Sequence, residues 1–184
     1  MILAGLDPSL SNFGMVKGSL SGELFTLTDL TLVTSEPDNK NKKQVRKNSD
    51  DLNRARKLHQ GLMSFIKDVD LLFVEIPVGS QSARSMASYG ICLGLLGSIQ
   101  IPMIQVTPAE VKLAATGSKT ASKSAMITWA TTQFPDAGWF TRKVKGVVSY
   151  TNKNEHPADA LAAIYAGVRT DQYQQITAFN KGKT

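Results

Sequence analysis

The sequence predicts an α/β domain on a mixed five-stranded sheet, an antiparallel meander plus parallel strands, with helices on both faces. Three β-type segments come first, and later strands alternate with helices, which is the order expected for such a sheet. The 184 residues suffice for one domain with a substantial core, and 42% are hydrophobic and 20% charged, as in ordinary globular proteins. We assign residues 1–170 to this domain and residues 171–184 to a polar tail that frays.

Composition excludes several classes of protein. No apolar run is long enough to span a membrane, and we expect neither a membrane partner nor a signal peptide. Cys92 is the only cysteine, which excludes a disulfide scaffold and a cysteine-ligated zinc site, and we expect it in the core. The formal net charge of +6 favours a polyanionic partner, although many basic proteins bind none.

Two strand signals end in a carboxylate and are halted by a proline one or two residues later. Residues 2–6 lead to Asp7, and residues 71–74 lead to Glu75. Asp7 is either a turn residue or a rigidly held carboxylate at the edge of the core. Glu75 either forms an ordinary salt bridge or meets Asp7, which requires neighbouring strands of the same orientation. The segment after Asp7 predicts a hairpin around Gly14, and residues 23–33 predict a third strand.

The helices of the middle of the chain have clear start signals. A helix begins at Ser49 or Asp50. A second helix spans residues 80–100, where three glycines on one face favour close packing on the sheet: Gly90, Gly94 and Gly97. A third follows the strand Met103–Val106 with a Thr107 cap, Pro108 and Glu110, a capping-box pattern.

Three stretches combine cations with features that suit phosphate. A polar loop at 34–48 is basic and is either solvated or in contact with phosphates; its cations, with Arg54 just beyond, are Lys40, Lys42, Lys43, Arg46 and Lys47. Residues 118–124 place hydroxyls with Lys119 and Lys123 before a helix, which suits phosphate oxygens or plain capping. Residues 135–155 interleave aromatic and basic residues and suit nucleic acid or a dimer contact: Trp139, Phe140, Arg142, Lys143, Lys145, Tyr150 and Lys153. Within this stretch, residues 144–150 around Gly146 predict a small hairpin.

The last helix begins with a histidine and an aspartate three residues apart. Pro157 suits the first helical position, so we predict His156 as the cap. His156 and Asp159 then share a face, although Asp159 alone could be an ordinary first-turn acid. Together with Asp7 and Glu75 they form an oxygen-rich set that suits Mg²⁺ or Mn²⁺, with histidine favouring Mn²⁺. Two such ions about 4 Å apart can activate water and stabilise the leaving oxygen of a phosphodiester.

Six segments in order resemble the RuvC-type Holliday-junction resolvases of the ribonuclease H-like superfamily, including bacteriophage members. They are GLDPSLSNFG at 5–14, NSDDLNRARKLH at 48–59, LLFVEIP at 71–77, SARSMASYGICLGLLGSI at 82–99, VTPAEVKLAATGSKTASKSAM at 106–126 and HPADALAAIYAG at 156–167. The resemblance implies the ribonuclease H-like fold and a metal-dependent nuclease that resolves four-way DNA junctions symmetrically as a homodimer. It also implies a cytoplasmic protein of a bacterial cell or a phage-infected host.

The resemblance assigns roles to individual residues. The four catalytic metal ligands of the family, which would hold two Mg²⁺ or Mn²⁺ ions, match Asp7, Glu75, His156 and Asp159, and many members have Asp in place of His156. Basic residues that approach the scissile phosphate match Lys112 and Lys123, and we give Lys123 a catalytic role. The complete set of predicted DNA contacts is Lys43, Arg46, Lys112, Lys119, Lys123, Arg142, Lys143 and Lys145.

Two departures and three alternatives qualify this interpretation. Val78-Gly79 stands where some members carry an aromatic wedge, and the 135–155 loop is longer than in compact bacterial members. An actin-like or sugar-kinase ATPase needs a second lobe, for which 184 residues leave little room. Intact carboxylates disfavour a non-catalytic junction-binding protein. A nuclease acting on branched DNA more broadly is the main alternative.

Overall fold

The computed structural model describes residues 1–22, 24–38, 44–76, 79 and 81–181, without the side chains of residues 44, 45, 180 and 181. Its main sheet has the strand order β3-β2-β1-β4-β5. The strands are β1 Ile2–Asp7, β2 Asn12–Ser21, β3 Leu24–Thr34, β4 Leu71–Glu75 and β5 Met103–Val106. The first three pair antiparallel, and β4 runs parallel to both β1 and β5, so the predicted mixed sheet is confirmed.

Helices cover both faces of this sheet, as predicted. They are α1 Gln44–Phe65, α2 Ala83–Gly97, α3 Pro108–Thr116, α4 Lys123–Gln133, α5 Glu155–Gly167 and α6 Asp171–Lys181. The side chains of a strand alternate between its faces. Leu3 and Phe73 therefore pack with α5, whereas Leu6 and Leu72 pack with α1 on the opposite face. Because both faces are buried, the central strands are nearly continuous apolar runs.

Helix α5 lies unusually close to the sheet because small residues line the contact. A Cβ atom at Gly5 would stand 1.8 Å from the carbonyl oxygen of Ala160, and one at Gly14 would stand 2.3 Å from the carbonyl carbon of His156. At the far end of the helix, a Cβ on Gly167 would stand 1.9 Å from the Phe73 ring. These contacts fix the height of α5 above the sheet and thereby the positions of its first-turn side chains.

The glycines of α2 contradict one prediction. A Cβ at Gly90, Gly94 or Gly97 would meet no atom within 4 Å, and all three glycines are exposed. The face that packs on the protein instead carries Cys92 and Leu95, which are larger and bury more apolar surface. The prediction that the glycines press on the sheet is therefore wrong, whereas the buried position of Cys92 is confirmed.

Helix boundaries differ from prediction at both α1 and α5. Helix α1 begins at Gln44, before the predicted Ser49 or Asp50 cap. Helix α5 begins at Glu155, directly after a 3₁₀ turn at Asn152–Asn154. The predicted cap, His156, therefore lies within the first turn, because the 3₁₀ turn has already started the helical path of the backbone.

The C-terminal region also differs from its predicted form. Residues Asp171–Lys181 form a helix where the sequence predicts a fraying polar tail. Tyr173 attaches this helix to the domain: it is 7% exposed, and its ring centroid lies 5.8 Å from that of Phe73. Within the described ranges, none of the helices is both long and apolar enough to cross a bilayer.

The 135–155 segment contains the predicted small hairpin. Strands β6 Thr141–Val144 and β7 Val147–Tyr150 pair antiparallel and form a separate two-stranded sheet. Trp139, however, is a core residue at 7% exposure, and its indole N–H donates to the Phe134 carbonyl at 2.7 Å. This aromatic residue is thus unavailable for the stacking or dimer contact that its basic neighbourhood suggests.

Candidate catalytic site at the ends of β1 and β4

Asp7 and Glu75 lie at the same end of two neighbouring parallel strands. The register pairs Leu6 with Val74, so the residue that follows each of them stands at the same edge of the sheet. Pro8 ends β1 here, because proline cannot continue the ladder. The condition under which the two carboxylates could meet, neighbouring strands of the same orientation, is therefore fulfilled.

The first turn of α5 brings His156 to Asp7. Nδ1 of His156 lies 2.6 Å from Oδ2 of Asp7, and the two side chains are 23% and 14% exposed. Gly14, which pairs with Asp7 in the β1–β2 ladder, lets the His156 backbone approach. Gly14, which the sequence places in the hairpin segment after Asp7, thus leaves the room that the His156 backbone needs at the site.

Asp159 completes the cluster one helical turn further along α5. Burial raises the pKa of Asp159 to about 8, and the negative charges of Asp7, Glu75 and Glu155 add to this effect. Burial likewise raises the pKa of Glu75 to about 8, with a further contribution from Asp7, while Lys112 opposes the shift. The charge of Asp7 therefore acts on both Glu75 and Asp159, and burial makes the ionised forms of these two carboxyl groups costly.

The pKa of His156 is raised as well, but for a histidine a raised pKa favours the charged form. Burial lowers the pKa of His156, but the hydrogen bond to Asp7 and the neighbouring negative charges outweigh burial and raise it above its ordinary value. Positive charge is thus favoured at this point of the cluster. A divalent cation would satisfy the same electrostatic demand.

The donor atoms suit a hard divalent cation. Three carboxylates and an imidazole are typical ligands of Mg²⁺ and Mn²⁺, and Oδ1 of Asp159 is buried without a hydrogen-bond partner. In their present positions, no three His, Cys, Asp or Glu side chains of the described chain are arranged to enclose a metal ion. The residues therefore fit such an ion by donor chemistry and charge, although their present spacing does not form a binding site, and the Asp7–His156 contact would compete with the ion.

Two predicted lysines lie beside this cluster. The charge of Lys112 on α3 acts on Glu75. Nζ of Lys123, at the first position of α4, lies 2.6 Å from Oε1 of Glu155, the residue before His156. The Lys123 side chain is 78% exposed, so its ammonium group reaches solvent next to the acidic cluster.

The hydroxyl-rich turn before α4 caps that helix, which is one of the two roles that the sequence predicts for residues 118–124. The side chain of Ser122 accepts a hydrogen bond from the Ala125 backbone N–H at 3.2 Å. The Thr107–Glu110 capping box on α3 is also present, and Gly117 ends α3 with φ of 76°. These caps set the directions of α3 and α4, which hold Lys112 and Lys123, while Lys119 is exposed in the turn between them.

The other predicted DNA contacts lie on other elements of the structure. Arg142, Lys143 and Lys145 are exposed on the β6–β7 hairpin, and Arg46 is exposed near the start of α1. Lys43 lies outside the described residues, as does Val78, so the structure does not address those positions.

Arg54 has a structural position that the sequence pattern does not reveal. It is 6% exposed, and it donates from Nε to Ser35 Oγ at 3.1 Å and from Nη2 to Ser11 Oγ at 2.8 Å. Asp51 joins this network, with Oδ1 lying 2.6 Å from Nη2 of Arg84. The network ties α1 and α2 to the loop after Asp7, so Arg54 does not belong with the phosphate-contacting cations. An aspartate three residues before an arginine was the available signal, but the other partners are distant in sequence.

Asn154 is a second structural residue that the sequence pattern does not reveal. Asn154 is fully buried, and its amide donates to the Phe140 carbonyl at 2.9 Å while accepting from the Phe140 backbone N–H at 2.8 Å. This pair of bonds connects the base of the β6–β7 hairpin to the start of α5. An asparagine two residues before His156 gives no such indication by itself.

Comparison with solved structures relates the whole domain to junction-resolving proteins. Thermus thermophilus RuvC in complex with a Holliday junction matches with a TM-score of 0.62 and 18% identity, covering 90% of this chain and 92% of that chain. A separate structure of T. thermophilus RuvC gives a TM-score of 0.61 with the same identity. The fowlpox virus resolvase in complex with its substrate Holliday junction DNA matches with a TM-score of 0.50 and 14% identity, covering 96% and 99%.

Sequence comparison adds no closer relative: no protein-family model matches this sequence, and neither does any curated protein. The structural likeness spans nearly the full length of both chains, and it agrees with the strand order and the two helical layers described above. The chain therefore has the RuvC-type, ribonuclease H-like fold that the sequence resemblance predicted.

Proposed function

We propose that this protein is a metal-dependent endonuclease that resolves four-way DNA junctions by cutting two strands symmetrically as a homodimer. The observation that supports this proposal most strongly is the convergence of Asp7, Glu75, His156 and Asp159 at one edge of a RuvC-type sheet. The four residues come from β1, β4 and α5, so only the folded chain brings them together. Perturbed carboxyl groups such as Glu75 and Asp159, both partly buried with raised pKa values, are typical of functional sites.

The proposed cofactors are two Mg²⁺ or Mn²⁺ ions held by these four side chains. Such ions supply an activated water and stabilise the leaving oxygen of a phosphodiester. The chain contributes the donor atoms, and it holds His156 and Asp159 in place through α5, a helix that packs tightly on the sheet. Proton release from Glu75 and Asp159 on cation binding follows from their raised pKa values.

The surrounding cations are assigned to the DNA. Lys123, held beside the cluster by Glu155, is placed to stabilise negative charge that develops on the phosphate during cleavage. Lys112 and Lys119 contact the adjoining backbone. A second copy of the chain supplies the second site that symmetric cutting requires. The proposed substrate locates the activity in the cytoplasm of a bacterial cell or a phage-infected host.

The test is a cleavage assay on matched DNA substrates. Labelled four-way, three-way, flap and linear duplexes of the same sequences are incubated with wild-type protein and with Asp7→Asn. We expect the wild type to make paired, symmetric cuts in the four-way junction. Asp7→Asn should lower the cleavage rate at least a hundredfold while its affinity for the junction stays nearly unchanged. Asp171→Asn, a change at an exposed aspartate at the start of α6, is the matched control and should cut normally.

Other outcomes distinguish the alternatives. Equal cutting of all branched substrates would replace the four-way specificity with a broader structure-specific nuclease. Tight junction binding without cleavage by wild-type protein in either metal would indicate a binding protein. A loss of folding in Asp7→Asn, seen by circular dichroism, would make Asp7 a structural residue.

A further inference from the structure

The β6–β7 hairpin projects from the domain with both faces in solvent. Among Thr141–Val144 and Val147–Tyr150 only Ser149 is even half-buried. The two strands join through Lys145 and Gly146, whose φ angles of 49° and 84° form the left-handed turn that suits a tight hairpin. The described chain thus contains a small ribbon that takes no part in either face of the main core.

Both faces of this ribbon combine apolar side chains with a cation. Residues paired across an antiparallel ladder share a face, so Lys143 lies beside Val148 on one side, whereas Val144 lies beside Val147 on the other. The exposed fractions are large: 68% for Val147, 63% for Val148 and 54% for Val144. A two-stranded ribbon is marginally stable alone, and its apolar groups gain from contact with a partner.

The base of the ribbon is fixed to the candidate catalytic helix. The buried Asn154 side chain forms two hydrogen bonds with the backbone of Phe140, and the Thr151 N–H donates to the same Phe140 carbonyl at 3.0 Å. Asn154 immediately precedes α5 and stands two residues before His156. The ribbon therefore starts from the end of the domain where Asp7 meets His156.

The positive charge of the ribbon indicates which kind of partner it binds. Residues 141–153 contain four cations, Arg142, Lys143, Lys145 and Lys153, and no acidic residue. A surface of this charge, joined through Asn154 to the helix of a site assigned to phosphodiester cleavage, is complementary to DNA. Apolar side chains beside cations also match the way in which proteins part stacked bases, by inserting apolar groups while basic groups hold the backbone.

We propose that the β6–β7 ribbon is a DNA-inserting arm whose Val147 and Val148 enter the branch point and unstack a base pair there, while Arg142, Lys143 and Lys145 hold the adjoining phosphates. This inference rests on the proposed function and adds to it the element that opens the junction. Bases at a branch point have already lost stacking on one side, so insertion there costs least.

The test measures local unstacking directly. Full-length Asp7→Asn protein, which leaves the DNA uncut, is titrated onto a four-way junction with 2-aminopurine beside the branch point. We expect saturating protein to raise the fluorescence at least threefold. The same protein carrying Val147→Thr and Val148→Thr should lose most of that rise at saturation, because threonine keeps the β-branched shape but makes insertion among bases unfavourable.

A matched control uses an exposed apolar residue elsewhere. Leu24 is 71% exposed and pairs with Ser21, at the end of β2 opposite to Gly14 and hence away from Asp7. Leu24→Thr in the Asp7→Asn background should retain the full rise. Amide NMR spectra of the double valine variant should still show the cross-strand contacts between β6 and β7. Such contacts establish that the ribbon remains folded.

The outcomes separate this inference from the proposed function. A full fluorescence rise with the double valine variant overturns the proposal that the ribbon inserts into DNA, even if wild-type protein cuts junctions. A valine-dependent rise with no cleavage by wild-type protein supports the arm and overturns the nuclease. Absence of junction binding by Asp7→Asn and wild-type protein alike overturns both.

Discussion

Nδ1 of His156 and Oδ2 of Asp7 lie 2.6 Å apart, although the two residues are 149 positions apart in the chain. The contact joins β1 to α5 at the edge where Glu75 also ends its strand. The raised pKa of His156 keeps its imidazole protonated to a higher pH than in an ordinary histidine. A cation that binds Asp7 must therefore compete with the imidazole, whose protonated form Asp7 favours.

This competition leads to a prediction on metal dependence. EDTA should stop junction cleavage, and Mg²⁺ or Mn²⁺ should restore it. His156→Asp replaces the imidazole with a harder ligand and removes the competing positive charge, so the ratio of Mg²⁺-supported to Mn²⁺-supported rates should rise severalfold. The measurement is the single-turnover rate over a titration of each metal. An identical metal profile in wild type and variant would place His156 outside the ligand set.

A second prediction concerns Lys123 and its ion pair with Glu155. Lys123→Ala should slow single-turnover cleavage by about tenfold to a hundredfold even at saturating protein, because it removes charge stabilisation in the transition state. Lys119→Ala, a change in the exposed turn before α4, is the matched control and should weaken binding without lowering the saturated rate. If Lys123→Ala cuts at the wild-type rate once saturated, Lys123 only positions the DNA.

A third prediction concerns the electrostatic part of DNA binding. Lys145→Gln removes an exposed cation at the tip of the β6–β7 hairpin, and it should lower the slope of log affinity against log salt by about one unit. All branched substrates should weaken about equally, because phosphate contacts do not read sequence. Lys67→Gln, at an exposed residue between α1 and the start of β4, should leave the slope unchanged. An unaltered salt-dependence slope in Lys145→Gln would show that the hairpin is not part of the DNA contact surface.

A fourth prediction contrasts two classes of glycine. Gly5→Ala should destabilise the fold by about 3 kcal/mol or more, because the new methyl group would overlap the Ala160 carbonyl and push α5 off the sheet. Gly90→Ala enters open space on an exposed helix, and it should stabilise the protein by roughly 0.5–1 kcal/mol. Urea unfolding measures both free energies. Equal effects of the two substitutions would contradict the close approach of α5 to β1.

The fifth prediction uses the Asp51–Arg84 pair, which lies outside the candidate site. The hydrogen bond from Arg84 holds the pKa of Asp51 below its ordinary value of 3.8. The stabilisation is therefore fully present above pH 3.8 and is lost as the pH falls through the lower, folded-state pKa. Free energies of unfolding measured from pH 5 to pH 2 should decline more steeply for wild type than for Asp51→Asn. Parallel curves would show that the pair contributes no pH-dependent stability.

Local chemistry in the sequence was enough to predict several parts of this protein. The strands that end at Asp7 and Glu75, the Thr107–Glu110 capping box and the hairpin around Gly146 each depend on residues that are neighbours in the chain. Proline, glycine and hydroxyl side chains impose the same backbone constraints wherever they occur, so their positions can be interpreted without knowledge of the fold. The mixed sheet follows from the order of such elements.

Tertiary structure alone decided which face of each element became buried and which distant groups met. The pattern of α2 does not show that Leu95 faces the core while Gly90 faces solvent, because both faces offer small or apolar residues. Arg54 is buried because Ser11, Ser35 and Asp51 together satisfy its guanidinium group, and two of these partners lie on other segments. Trp139 likewise enters the core where its indole N–H reaches a carbonyl. Such outcomes depend on the free energy of burying a polar group, which is favourable only after the chain has brought its partners together.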